Sequence, residues 1–207
     1  MIVTLPEDIS DITIRQFIAL EEIDNEQDEL DIIKQRIEVF TKLTPEQLKG
    51  VSKKDFDDMA NQINIALNQE SKFIDRFELD GVEFGFVPNL DKITAGEWGD
   101  LNRYNTDIET FNRLMAILFR PVTHTDKFGN YKIERYKGTD AYAEIMMEAP
   151  LNALNGALVF FCDLAIELQS SIKAYLKEVQ KREEALQTSM NVGVGIQRFL
   201  NWLKAIH

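Results

Sequence analysis

Apolar residues recur at alternating steps of three and four through the last third of this chain: Leu151, Leu154, Leu158, Phe161, Ala165, Leu168, Ile172, Tyr175 and Val179. That spacing lines them along one stripe of one helix, the seam pattern of helix packed on helix. The register misses at Arg182 and resumes at Leu186. Unbroken, such a helix would run for about 54 Å. A compact globule of this chain length is about 43 Å across, for a radius of gyration of about 17 Å. The helix is therefore expected to overshoot its own domain or to kink. Gly193 and Gly195 follow, then a tail with Ile196, Phe199, Leu200, Leu203 and Ile206 at helical spacing and Trp202 beside them. A rod with a hinged arm is the expectation here, and it points to assembly.

Upstream, the first 70 residues read as a helical subdomain. Ile12, Ile14, Phe17, Ile18 and Leu20 mark a short helix that Ser10 or Asp11 could cap. Leu30, Ile33, Ile37 and Phe40 mark a second. Thr44-Pro45-Glu46 starts a third, since proline is tolerated in a first turn, and Gly50 stops it. Ser52 and Asp55 form a capping box for a fourth, whose buried face is Phe56, Met59, Ile63 and Leu67.

The period then changes. Phe77, Leu79, Val82, Phe84 and Phe86 alternate around Asp80-Gly81, a pair suited to a two-residue turn because both positions need positive φ. In that register Leu79 faces Val82, Phe77 faces Phe84, and all five side chains share one face. Thr94 and Glu97 form another capping box, opening a helix through Trp98 and Leu101. Phe111, Leu114, Met115, Leu118 and Phe119 predict a helix ending at Arg120-Pro121. Val122–Thr125 and Tyr131–Tyr136 predict a second hairpin around Asp126–Asn130, and a helix through Ala143, Met146 and Met147 ends before Pro150. The expected fold is mainly α, with two small hairpins and a long C-terminal helix. The expected organisation is an acidic helical subdomain at 1–70, a mixed core with the long helix at 71–189, and an amphipathic arm at 190–207.

Charge restricts the partners. The net charge is −12, and residues 1–70 carry 7 basic against 16 acidic groups, a net −9. Duplex-binding proteins need net positive charge to displace condensed counterions, so direct nucleic-acid binding is not expected. An acidic front suits basic protein surfaces. Cys162 is the single cysteine, set in an apolar stretch, and reads as a small buried hydrophobe in a reducing compartment. The N-terminus has no basic segment ahead of an apolar core, so no signal peptide is expected. Asp163 cuts the longest apolar run well short of the roughly 20 residues a membrane span needs.

Catalytic patterns are not evident. Asp24–Glu29 is acidic but lacks the glycine of a calcium loop, and reads as a solvated loop entering a helix. His124 and His207 have no ligand-spaced neighbours, and Gly193-Val-Gly195 lacks the remaining features of a dinucleotide loop. No metal, cofactor or enzymatic activity is expected. Tyr131, Lys132, Arg135, Tyr136 and Lys137 form a basic–aromatic cluster with three readings: an ordinary exposed sheet surface, a nucleic-acid platform or a protein interface. Tyr131, Arg135 and Tyr136 are its candidate partner-binding residues. The tail Ile196, Phe199, Leu200, Trp202, Leu203 and Ile206 also has three: a helix on its own core, an arm in a neighbour's groove, or a weakly supported membrane-surface helix.

The stretch Phe77-Glu-Leu-Asp-Gly-Val-Glu-Phe-Gly-Phe-Val-Pro-Asn-Leu-Asp-Lys-Ile-Thr94 resembles phage proteins encoded in virion and tail-assembly gene clusters, including those of crAss-like podoviruses. Leu114–Val122 and Tyr131–Tyr136 add to the resemblance, which covers roughly residues 73–165. It implies a virion-morphogenesis role. The protein would be either a subunit of a ring at the portal, neck or tail junction, or a tail assembly chaperone absent from the finished particle. The first reading implies a homo-oligomer made in the host cytoplasm and built into the virion, with portal, neck or tail proteins as partners.

Overall fold

The computed structural model describes residues 3–70, 72–88, 92–105, 107–160 and 177–178. The stripe from Phe161 to Tyr175, Cys162, the paired glycines and the arm at 190–207 lie outside the described residues. The chain divides into two compact units, Met1–Val159 and Phe160–His207.

In the first unit, a 3₁₀ turn at Ile9–Asp11 leads into α1 (Ile14–Glu21), α2 (Glu29–Thr41), α3 (Pro45–Lys49) and α4 (Lys53–Leu67). Each α-helix opens on a residue whose side chain satisfies an orphan N–H: Thr13, Asp28, Thr44 and Ser52. The first helix thus begins later than expected. Asp8 and Asp11 close the preceding 3₁₀ turn, and Thr13 caps α1 with Gln16 reaching back to its N–H. Ile37, Phe40, Met59 and Ile63 are buried where α2 meets α4, while Leu30 in the first turn of α2 stays 49% exposed. Gln62 on α4 and Gln69 just past its end donate to the Pro6 and Glu7 carbonyls, holding the N-terminal segment along that helix.

Strands β1 (Arg76–Leu79) and β2 (Val82–Phe86) turn at Asp80 and Gly81, with φ of 49° and 76°. The register pairs Phe77 with Phe84 and Leu79 with Val82, as the alternation requires. Helices α5 (Ala95–Tyr104) and α6 (Phe111–Leu118) follow, then β3 (Phe119–Thr125) and β4 (Tyr131–Ile133).

The mainly-α expectation is wrong. The two hairpins are not separate: β2 pairs with β3, giving one four-stranded antiparallel sheet in the order β1-β2-β3-β4 and a mixed α/β fold. The helical reading runs too far at its end. Phe119 is extended at φ −119° and ψ 125°, and it pairs with Phe86. Pro121 sits inside β3, where a missing N–H would normally argue against pairing. Its carbonyl still accepts from the Glu134 N–H at 2.9 Å, and a register shift follows between Val122 and His124. The helix expected through Met147 is likewise replaced by turns and a 3₁₀ segment at Ile145–Glu148.

An aromatic layer forms the core side of the sheet. Phe84, Phe86 and Phe119 are buried, Phe77 bridges Phe84 and Phe119 at 6.0 and 4.9 Å between ring centroids, and Phe86 lies 5.2 Å from Phe119. Fully burying each such side chain contributes about 1.5–3 kcal/mol. Leu114 to Leu118 of α6, Met146 and Leu154 complete the core. Backbone bonds tie front to back: the Ile14 N–H donates to the Ala149 carbonyl and the Leu151 N–H to the Ile12 carbonyl. Residues 151–160 are helical. Leu151, Ala153, Leu154 and Ala157 are buried in the first unit, Leu158 is half-buried, and Val159 and Phe160 are 59% and 38% exposed.

Candidate functional site

The second face of the sheet carries the polar chemistry. Because side chains alternate across a strand, the residues between the aromatic ones point the other way. They are Arg76, Gly85 and Arg120, aligned across three strands by the register.

Arg120 is buried, and its guanidinium meets the equally buried Glu97 at 2.7 Å. Glu97 arrives there through the N-terminal box of α5, where its carboxylate also accepts from the Thr94 N–H at 2.6 Å. Tyr136 stacks beneath the guanidinium, 5.8 Å from ring centroid to Cζ, and donates to Asp100 at 2.5 Å. Burial, then the hydrogen bond to Asp100, raises the Tyr136 phenol above its ordinary pKa. Arg120 Nε is buried with no partner among the described residues. A buried pair of this kind fixes α5 to the sheet, since removing either member strands a charge in low dielectric.

Tyr131 occupies the same face. Its ring lies over Gly85, where an added Cβ would come within 2.6 Å of the ring. Its hydroxyl donates to the Phe86 carbonyl at 2.9 Å, and Arg76 lies 5.3 Å from its centroid. Burial, reinforced by the nearby Asp75 carboxylate, pushes this phenol up to about 12. Tyr142 donates to Glu134, a bond that with burial raises its phenol to about 12. Lys137, then Tyr142, holds the Glu134 carboxyl below its usual range.

The basic–aromatic cluster is therefore split. Tyr131 and Tyr136 are half-buried, and their hydroxyls are bonded to different partners within the unit. Lys132 and Arg135 are exposed and carry no ion pair among the described residues. The other candidate residues, Ile196, Phe199, Leu200, Trp202, Leu203 and Ile206, lie outside the described residues.

Two features escaped the sequence reading. One is the organisation of the expected loop at Asp126–Asn130, which joins β3 to β4. Asp126 accepts from the Phe128 and Asn130 N–H groups at 2.8 and 2.9 Å and from the Asn130 side chain at 2.9 Å. These bonds, the Asn130 side chain first, hold the Asp126 carboxyl below its ordinary value. The same loop leaves Phe128 78% exposed, with the Lys127 ammonium 5.0 Å from its centroid. A phenylalanine amid Asp, Lys, Gly and Asn was the available signal, because it serves neither strand face. The other feature is a pair of grooves flanking α3. One, of about 720 Å³, is lined by Val3, Leu5, Leu43, Val51 and Met59 and rimmed by Asp55 and Asp58. The second, of about 480 Å³, includes Leu30, Leu48 and Phe56 with Lys34, Lys49 and Lys53.

No group of three or more His, Cys, Asp or Glu side chains is placed to hold a metal among the described residues, and no helix among them is long and apolar enough to cross a membrane. Chemically, the polar face holds elements together, while the tip and the grooves offer contact surface. Compared with family models, curated proteins and solved structures, the chain matches none.

Proposed function

We propose that this chain is a non-enzymatic structural protein of a phage virion, a subunit of a ring at the portal, neck or tail junction that works by packing against copies of itself and against neighbouring virion proteins. The observation that carries the reading is the division of labour within the first unit. Its buried ionisable pair and its half-buried tyrosines are engaged in holding the fold, whereas an aromatic tip and apolar grooves are open. Exposed aromatic anchors and apolar concavities are what protein interfaces use. The helix that begins at Leu151 is seated in the unit through Ala157 and shows Val159 to solvent. The apolar tail at 190–207 continues the chain as a contact segment for neighbours in this reading. The resemblance of residues 73–165 to proteins of virion and tail-assembly clusters supplies the virion context.

A second reading, a tail assembly chaperone, draws on the same open grooves, which suit a transiently held client segment. Quantitative mass spectrometry of purified particles separates the two. A ring subunit is present at a fixed multiple of the portal copy number, and a chaperone is absent. Deleting residues 190–207 is expected to abolish incorporation while leaving a folded protein. Normal incorporation of the truncated chain would remove the arm from the account.

A further inference from the structure

Knob and groove contacts make unlike faces, and a ring requires unlike faces that fit. We infer that Phe128, at the tip of the β3–β4 hairpin, inserts into the acid-rimmed groove between the N-terminal segment and α3–α4 of a second copy of this chain. The inference rests on the ring reading and gives it a specific contact.

The knob is preorganised. Three hydrogen bonds to the Asp126 carboxylate, at 2.8, 2.9 and 2.9 Å, fix the loop that presents Phe128. Little conformational freedom is then lost on docking, which is where rigid aromatic anchors gain affinity. Phe128 has no place in its own unit: it is 78% exposed and does not line either groove. Around it the charge is positive. Lys127 sits against its ring, and Lys132 and Arg135 lie exposed on the same hairpin and its continuation without ion pairs among the described residues. The two carboxylates of the region are engaged, Asp126 by its own loop and Glu134 by Lys137 and Tyr142.

The groove is the complement. Its floor is apolar, with Leu43, Val51 and Met59, and its volume of about 720 Å³ has room for a phenyl ring and the stems of flanking lysines. Its rim carries Asp55 and Asp58, both exposed, and no lysine or arginine lines it. The groove on the other side of α3 fits less well, because Lys34, Lys49 and Lys53 line it beside Asp31 and Glu38, with Asp31 already paired to Lys34, so it offers a cationic tip no net negative rim. Neither groove draws residues from the sheet, so knob and groove are different patches and the contact is heterologous. A hairpin tip alone covers less than the about 800 Å² per partner of a standard interface. Ring closure compensates, since every copy is then held through both its knob and its groove.

Sedimentation velocity on the full chain, over a concentration series at low and moderate salt, tests this. The wild type is expected to self-associate, more weakly as salt rises. F128D and the groove variant D55K/D58K are each expected to weaken association about tenfold or more, as loss of a hot-spot aromatic does. Both change exposed groups, so unchanged thermal melting certifies the fold. The variant that reverses both sides, K127E/K132E/D55K/D58K, is expected to regain association. If the wild type associates and F128D associates equally, this contact is wrong and the ring reading survives. A wild type that stays monomeric throughout overturns both.

Discussion

The sheet and the front helices treat polar groups in opposite ways. On the sheet, Arg120, Glu97, Tyr136 and Tyr131 are buried or half-buried and tied to one another or to the backbone. In the front helices, Asp55 and Asp58 line an open groove, and the ion pairs are exposed, whether within one helix, as in Lys34–Asp31 and Lys53–Asp57, or from Arg15 to Glu144 and Glu148. The sheet face is closed because its polar groups could only be buried once paired. The front is open because its helices are strongly charged and their apolar stripes cover one another only in part: Ile37 and Ile63 are buried between α2 and α4, while Leu30 and Ile65 stay exposed. Evolutionary tolerance should differ accordingly: the sheet reports on folding and the front reports on binding.

The largest test of that contrast is the buried pair. E97A is expected to cost about 3–5 kcal/mol in urea unfolding, because it leaves the Arg120 guanidinium buried and uncompensated. E97Q/R120M should recover much of that loss, since glutamine keeps an acceptor for the Thr94 N–H and the second charge is gone. Removing an exposed pair by K53A should leave the urea midpoint nearly unchanged, because solvent screens both charges. Equal effects at the two places would erase the distinction.

Two glycines sharpen it next. Gly156 lies in the helix at 151–160, where alanine ordinarily gains about 1 kcal/mol. Its Cβ would sit 2.7 Å from the Phe73 Cα, a backbone atom that cannot swing aside. G156A should therefore destabilise by about 1–3 kcal/mol. G85A should do the same by displacing the Tyr131 ring and the bond from its hydroxyl to the Phe86 carbonyl. Melting temperatures check both.

Alkaline titration reads the tyrosines directly. Tyr131 and Tyr142 keep their protons to about 12 in the folded chain, against an ordinary value of 10.0. Their contribution to stability is complete below pH 10 and is lost as pH rises toward 12, because the unfolded chain ionises first. Phenolate absorbance should therefore lag in the native protein and jump on unfolding. Native-state ionisation of every tyrosine near pH 10 would mean these side chains face water. The smallest expected effect is at the tip: D126A should leave the melting temperature within about 1 °C while weakening self-association severalfold by loosening Phe128.

Local features were legible in the chain. The Asp80-Gly81 turn, the boxes at Thr94 and the cap at Ser52, the proline start at Pro45 and the facing of Phe77 and Phe84 all follow from neighbours within a few residues. The joining of the two hairpins was not. Residues 84–86 meet 119–121 across more than thirty intervening residues, and an apolar run from Leu114 to Phe119 suits a helix or a strand equally. Pro121 pointed away from pairing. The Glu97–Arg120 contact had a faint trace, an arginine closing an apolar run, but its partner could not be chosen from the many carboxylates. Of the candidate residues, Tyr131 was legible as aromatic and sheet-borne, whereas the strand expected through Tyr136 stops at Ile133 and leaves Tyr136 beyond it; that both hydroxyls are engaged inside the unit depends on Gly85 and Asp100, which local spacing does not relate to them.

Native mass spectrometry of the purified full chain tests the central claim most directly. A ring subunit predicts one discrete assembly at a whole-number multiple of 23.9 kDa, persisting on dilution and breaking down on F128D substitution. A spectrum showing only the 23.9 kDa species at every concentration would contradict it.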